Sequence, residues 1–139
     1  MKYEYSESIQ VLAEDISRRL FPHIMTSRIK CFRSTGTSTS STIARCHALG
    51  KIMQEALSCD AFYALEFIRE KFDNLSTEEK VKVVIHELMH IPESFGGGFK
   101  HHDIVNDANV ELAYNAYLDC RKKDIRIDWF KQLKLITEK

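Results

Sequence analysis

With 139 residues, 20 basic and 20 acidic side chains, the chain has the length of one domain and no net charge. Its overall field therefore favours neither a nucleic acid nor an anionic membrane as partner. The polar, acidic start, Met1-Lys2-Tyr3-Glu4-Tyr5-Ser6-Glu7, lacks the apolar core of a signal peptide, and no stretch is apolar enough to span a bilayer, so a cytoplasmic protein with a single domain over 1–139 is expected.

Residues 8–20 carry Ile9, Leu12, Ala13, Ile16 and Leu20 at helical spacing, and Pro22 ends that helix. The run Arg28-Ile29-Lys30-Cys31-Phe32-Arg33 alternates like a half-buried strand and leads into a polar loop over residues 34–42. A second strand, residues 42–47, follows. If the two formed a hairpin centred near Ser38-Thr39, Cys31 would face Cys46 across the pair, close enough for a bridge. The four cysteines, Cys31, Cys46, Cys59 and Cys120, nevertheless stand singly without a C-x-x-C pair. That spacing argues against a zinc ribbon and for buried free thiols.

Gly50 opens a short helix with Ile52, Met53, Ala56 and Leu57, and the aromatic run 61–68 reads as a third strand. Ser76 with Glu79 three residues on forms a capping box that starts a helix, and Pro92 stops it by pushing Ile91 out of helical geometry. Beyond Gly96-Gly97-Gly98 another helix is predicted over 105–120, with Val105, Ala108, Leu112, Ala116 and Tyr117 inward. A last helix is predicted over 125–136, packed by Trp129, Phe130, Leu133 and Ile136.

The helix between Ser76 and Pro92 carries the chemistry. It holds His86-Glu87-Leu88-Met89-His90, the H-E-x-x-H signature of zinc peptidases. Two histidines four apart lie one turn above each other and can aim two imidazoles at one ion, with Zn–N distances of about 2.0–2.1 Å. Glu87 is then placed as general base toward a water at the ion. Val81, Val84, Ile85, Leu88 and Met89 share the opposite side of the wheel, which separates a core face from a ligand face.

A catalytic zinc takes three protein ligands and leaves a fourth position to water. The third ligand must therefore come from beyond His90. The candidates are a histidine of His101-His102, returning from the Gly-rich turn, and Glu111 on the next helix. The separation exceeds the H-x-x-G-x-x-H spacing of metzincins, and imidazole and carboxylate suit zinc equally, so spacing leaves the choice open.

The block His86-Glu87-Leu88-Met89-His90-Ile91-Pro92, then Phe95, Gly96-Gly97-Gly98-Phe99 and a histidine before Asp103, resembles the metallopeptidase family of archaea, their viruses and some phages. The likeness extends upstream to Ile43-Ala44-Arg45-Cys46-His47-Ala48-Leu49-Gly50-Lys51-Ile52 and to Phe72-Asp73-Asn74-Leu75-Ser76. The resemblance implies an α+β zincin-like domain, with a small mixed sheet of about three strands, packed helices and the H-E-x-x-H helix beneath the strand nearest the cleft. It also implies Zn²⁺ held by His86, His90 and His102, with His101 standing where the family commonly has another residue, often Pro.

The function expected is hydrolysis of a peptide or protein substrate, extended along an exposed sheet edge at residues 61–68. Two other classes compete with it. Basic runs (Arg18-Arg19, Arg28, Lys30 and Arg33; Arg121-Lys122-Lys123 with Arg126, Lys131 and Lys134) would suit a DNA-associated protease of the Spartan type, although solvated faces are the ordinary meaning of such runs. A catalytically silent zinc-binding protein would not need Glu87. Arg45, His47, Tyr114 and Tyr117 are secondary candidates for substrate or oxyanion contact beside plain structural roles. Asp103 or Asp107 could orient a ligand histidine, and His23 reads as simply exposed.

Overall fold

A computed structural model describes residues 1–37 and 41–124; the helix predicted over 125–136 and the middle of the polar loop lie outside the described residues. Along the chain come β1 (Lys2–Tyr5), α1 (Glu7–Leu20), a single 3₁₀ turn (Thr26–Arg28), β2 (Ile29–Thr35), β3 (Ala44–Ala48), α2 (Lys51–Leu57), β4 (Tyr63–Ile68), α3 (Arg69–Phe72), α4 (Thr77–Met89) and α5 (Asp107–Lys122). The fold is α+β, with four strands in the order β1-β2-β4-β3. The sheet is mixed: β2 and β4 run parallel, while β1 and β3 lie antiparallel to their neighbours.

The predicted hairpin does not form. β4 lies between β2 and β3, so Cys31 and Cys46 each face Leu65 from opposite sides and both thiols are free. The reason lies in the side chains. Five of the six β4 positions are buried, on both faces, and such a strand belongs in a sheet's interior; β3 buries none of its residues and takes an edge. Residues 36–43 also make too long a link for a tight hairpin, which uses about 2–5 residues. The substrate edge expected at 61–68 is therefore the sheet's centre, and the edge beside α4 is β3. The extra strand, β1, comes from the polar start, whose four residues are all exposed. Of the four cysteines only Cys31 is fully buried, and Cys59 is exposed.

Ile9, Leu12, Ala13 and Ile16 of α1 and Val81, Val84, Ile85 and Leu88 of α4 pack with Ile29, Cys31, Tyr63, Leu65 and Phe67 of the sheet in one core. Ser6 caps α1 by accepting from the Ile9 N–H at 3.3 Å. The capping box of α4 is present in both directions, Glu79 N–H to Ser76 Oγ at 3.2 Å and Ser76 N–H to Glu79 Oε1 at 3.1 Å. Such a cap satisfies two backbone donors that the first turn would otherwise leave without partners.

α5 is rotated from its predicted setting. Val110, Tyr114 and Tyr117 face inward, Ala108 and Ala116 are exposed, and Leu112 is 69% exposed. Val105 precedes the helix, which begins after Asn106, whose side chain accepts from Asn109 N–H at 2.9 Å. A phase set from Val105 is therefore wrong for the turns that follow. The inward tyrosine finds a partner, because the Tyr117 hydroxyl donates to Asp15 of α1 at 2.6 Å. Arg121 joins the same carboxylate at 2.5 Å and Arg19 at 3.0 Å.

Some residues of the basic runs are likewise engaged with the protein, whereas Arg126, Lys131 and Lys134 lie outside the described residues. Arg28 donates to the Ala61 and Asp60 carbonyls, and buried Arg33 bonds Ser6 and Asp73. α2 forms as predicted but buries none of its residues, leaving Ile52, Met53 and Leu57 exposed. Among the described residues no helix is long and apolar enough to cross a membrane.

Candidate metal centre

α4 presents its core stripe to the sheet and turns His86 and His90 the other way, into a cleft bounded by β3. The two rings lie 5.1 Å apart centre to centre. His102 arrives from the segment after the glycines, its ring 5.7 Å from His86 and 4.9 Å from His90. One ring nitrogen from each of the three falls within 4.8 Å of the others. Of the residues proposed from sequence as third ligand, this brings His102 to the pair. Glu111 instead forms an ion pair with Lys82 at 2.7 Å, on the wall of the adjoining cavity. His101 lies on the cleft's rim, exposed, and its carbonyl accepts from Ile104 and Val105 N–H groups.

The segment that delivers His102 is tied back to α4. The Lys100 N–H donates to the His90 carbonyl at 2.8 Å, and His90 Nδ1 lies 2.7 Å from the Lys100 carbonyl. A carbonyl can only accept, so Nδ1 carries the proton and Nε2 is left with its lone pair for an ion. Asp103 and Asp107 were the residues expected to orient a histidine. The orienting bond the structure contains runs through the Lys100 carbonyl, while Asp103 accepts from the Ile104 N–H and Asp107 borders the cavity beside His86. His23 is not simply exposed either: its Nε2 sits 3.0 Å from the carbonyl of Ile91, just past α4.

Glu87 lies at the junction of two cavities, of ≈ 570 and ≈ 370 Å³, both of which also touch His86, His102 and Ala44. It is buried, and burial alone raises its carboxyl from the ordinary 4.5 to about 7. Burial is also the largest influence on His86, helped by the His90 and His102 rings; together they hold its imidazole below the usual value. His90 is lowered in the same way, chiefly by burial, against the opposing pull of the Lys100 carbonyl. Neutral imidazole is the form that binds a metal, and a carboxyl beside the three rings stands where a general base would act.

The secondary candidates sort themselves structurally. Arg45 and His47 both engage the buried carboxylate of Glu66, at 3.6 and 2.8 Å, and Arg45 also borders the cleft. Tyr117 is core, and the Tyr114 ring packs under the Lys82 ammonium at 4.9 Å. Sequence reasoning missed Tyr63, whose hydroxyl bonds the glycine turn. The available signal was a hydroxyl at the start of a mostly apolar strand, because a buried tyrosine O–H needs a partner.

Comparison with curated proteins and with solved structures gives no significant match. The family model described as "Putative phage metallopeptidase" matches residues 1–124, every described element included. A metal-dependent peptidase family agrees with the histidine cluster and its neighbouring carboxylate, and the chain belongs to this phage metallopeptidase family.

Proposed function

We propose that the protein is a zinc-dependent metallopeptidase in which His86, His90 and His102 hold the ion and Glu87 is the general base. The observation that carries this reading is the convergence of three imidazoles beside a buried carboxyl in an open cleft. The donor set fits the ion. Three neutral nitrogens without thiolate suit zinc better than magnesium or calcium, and three protein ligands rather than four are the mark of a catalytic site. When bound, zinc supplies a Lewis acid for the scissile carbonyl and acidifies water at neutral pH.

The chain's own groups do the rest. Glu87 takes the proton from the attacking water and passes it to the departing amine, the two transfers a general base beside the metal site makes. The Lys100 carbonyl holds the His90 ring in one tautomer and orientation. β3 is an outer strand of the sheet, and Ala44 touches both cavities that flank Glu87. A substrate peptide lying along β3 as an added strand would gain main-chain hydrogen bonds and carry its scissile bond past Glu87.

The test is to load the purified protein with zinc, measure metal content, and follow cleavage of an unfolded protein and of a mixed peptide library. The expected result is one zinc per chain and cleavage that Glu87→Gln slows by about 10²–10⁴-fold with the metal retained. Equal behaviour of parent and Glu87→Gln in every assay would instead indicate a zinc-binding protein without catalysis.

A further inference from the structure

The turn that brings His102 to the cleft is held from the middle of the sheet. Tyr63, at the start of β4, is fully buried, and its hydroxyl makes both bonds open to it: it donates to the Gly98 carbonyl at 2.8 Å and accepts from the Gly97 N–H at 2.9 Å. Its ring is met edge-on by Phe95 at 5.0 Å and by Phe99 at 6.2 Å, residues on either side of the glycines. Gln54 of α2 adds a second tether, donating to the Gly96 carbonyl at 3.1 Å and to the Leu49 carbonyl at 2.8 Å.

The fit is close. Gly97 has φ +100°, and a Cβ there would stand 2.6 Å from Gln54 Nε2 and 2.7 Å from the Leu49 carbonyl oxygen. Two residues beyond the turn, Lys100 pairs with His90, and two beyond that comes His102.

We propose that Tyr63 is a positioning residue for the metal centre, its hydroxyl setting the glycine turn and thereby the place from which His102 reaches the ion. This rests on the reading of His102 as a ligand. Glycine-rich backbone has more conformations to lose than any other, so an unanchored turn would be ordered only at the expense of metal binding. Tyr63→Phe keeps the ring and its packing and removes only the two hydrogen bonds.

The test measures zinc affinity by chelator competition for the parent, Tyr63→Phe, His102→Ala and the double variant, with zinc-free urea unfolding alongside. Tyr63→Phe is expected to bind zinc roughly tenfold to a hundredfold more weakly, the range typical when a group supporting a metal ligand is lost. That penalty should shrink to less than about threefold in the His102→Ala background, because a support has little effect once its ligand is gone. A purely structural tyrosine would cost the same in both backgrounds, and that result, or unchanged affinity in Tyr63→Phe, overturns the proposal.

His102→Ala alone reports on the ligand reading. Full zinc affinity in that variant removes the reading and the positioning role together, whereas failure of Tyr63→Phe alone leaves the ligand in place. Should Tyr63→Phe not fold, Gln54→Ala probes the second tether. A loss smaller than that expected of Tyr63→Phe, again confined to chains with His102, supports a turn held in place for the metal, and no loss refutes it.

Discussion

Replacing Glu87 with glutamine separates the catalytic role proposed for this carboxyl from what it costs the fold. In the zinc-free protein Glu87 is 6% exposed and burial raises its carboxyl from 4.5 to about 7. The folded chain therefore holds a proton that the unfolded chain has released. The stability tied to this group is fully present below pH 4.5 and is lost as pH rises through about 7. Integrated over that gap the loss is about 1 kcal/mol by pH 5 and about 3 kcal/mol by pH 8. Glutamine has nearly the same shape and no charge at either pH, so its own burial cost is constant and cancels between the two.

Zinc-free Glu87→Gln should accordingly gain about 2–3 kcal/mol on the parent between pH 5 and pH 8. Urea unfolding of chelator-treated protein at the two pH values measures it. The same variant, loaded with zinc, should cleave peptide about 10²–10⁴-fold more slowly, the usual worth of a positioned general base. Parallel stability profiles for parent and variant would refute the inference that Glu87 is a buried carboxyl titrating near neutrality.

Gly97→Ala should destabilise the protein by about 1–3 kcal/mol in thermal unfolding, because a positive φ and a 2.7 Å approach to the Leu49 carbonyl both oppose a side chain. At Asp15, burial raises the carboxyl, but hydrogen bonds from Tyr117, Arg121 and Arg19 outweigh it and hold it below the ordinary 3.8. Its contribution is present above pH 3.8 and lost as pH falls further, so Asp15→Asn should show a flatter loss of stability below about pH 4 in acid titration followed by circular dichroism. Leu65→Ala, in the central strand where nothing of the side chain is exposed, should cost about 2–5 kcal/mol by urea unfolding without changing zinc affinity in the folded protein.

What was legible in the sequence was what neighbours along the chain decide. The capping box at Ser76 and Glu79, the core stripe of α4, the two histidines one turn apart and the stop at Pro92 all depend on contacts within a few residues, and each appears in the structure where its spacing places it. The first helix, with Ile9, Leu12, Ala13 and Ile16 inward, is legible for the same reason, although its cap at Ser6 was not read from the chain. The likeness to a metallopeptidase family pointed to His102, although spacing by itself left Glu111 level with it.

Tertiary structure decided the rest, because the competing arrangements use the same local patterns. β2 and β3 alternate as the strands of a hairpin would, yet β4, buried on both faces, takes the place between them and moves the edge to β3. α5 could bury either stripe, and the stripe whose tyrosine reaches Asp15 faces inward. Glu111 is drawn to Lys82, while the turn anchored by Tyr63 carries His102 to the pair on α4. A hydroxyl 39 residues before the histidine it supports leaves no periodic trace in the chain; only folding brings the central strand under the glycines.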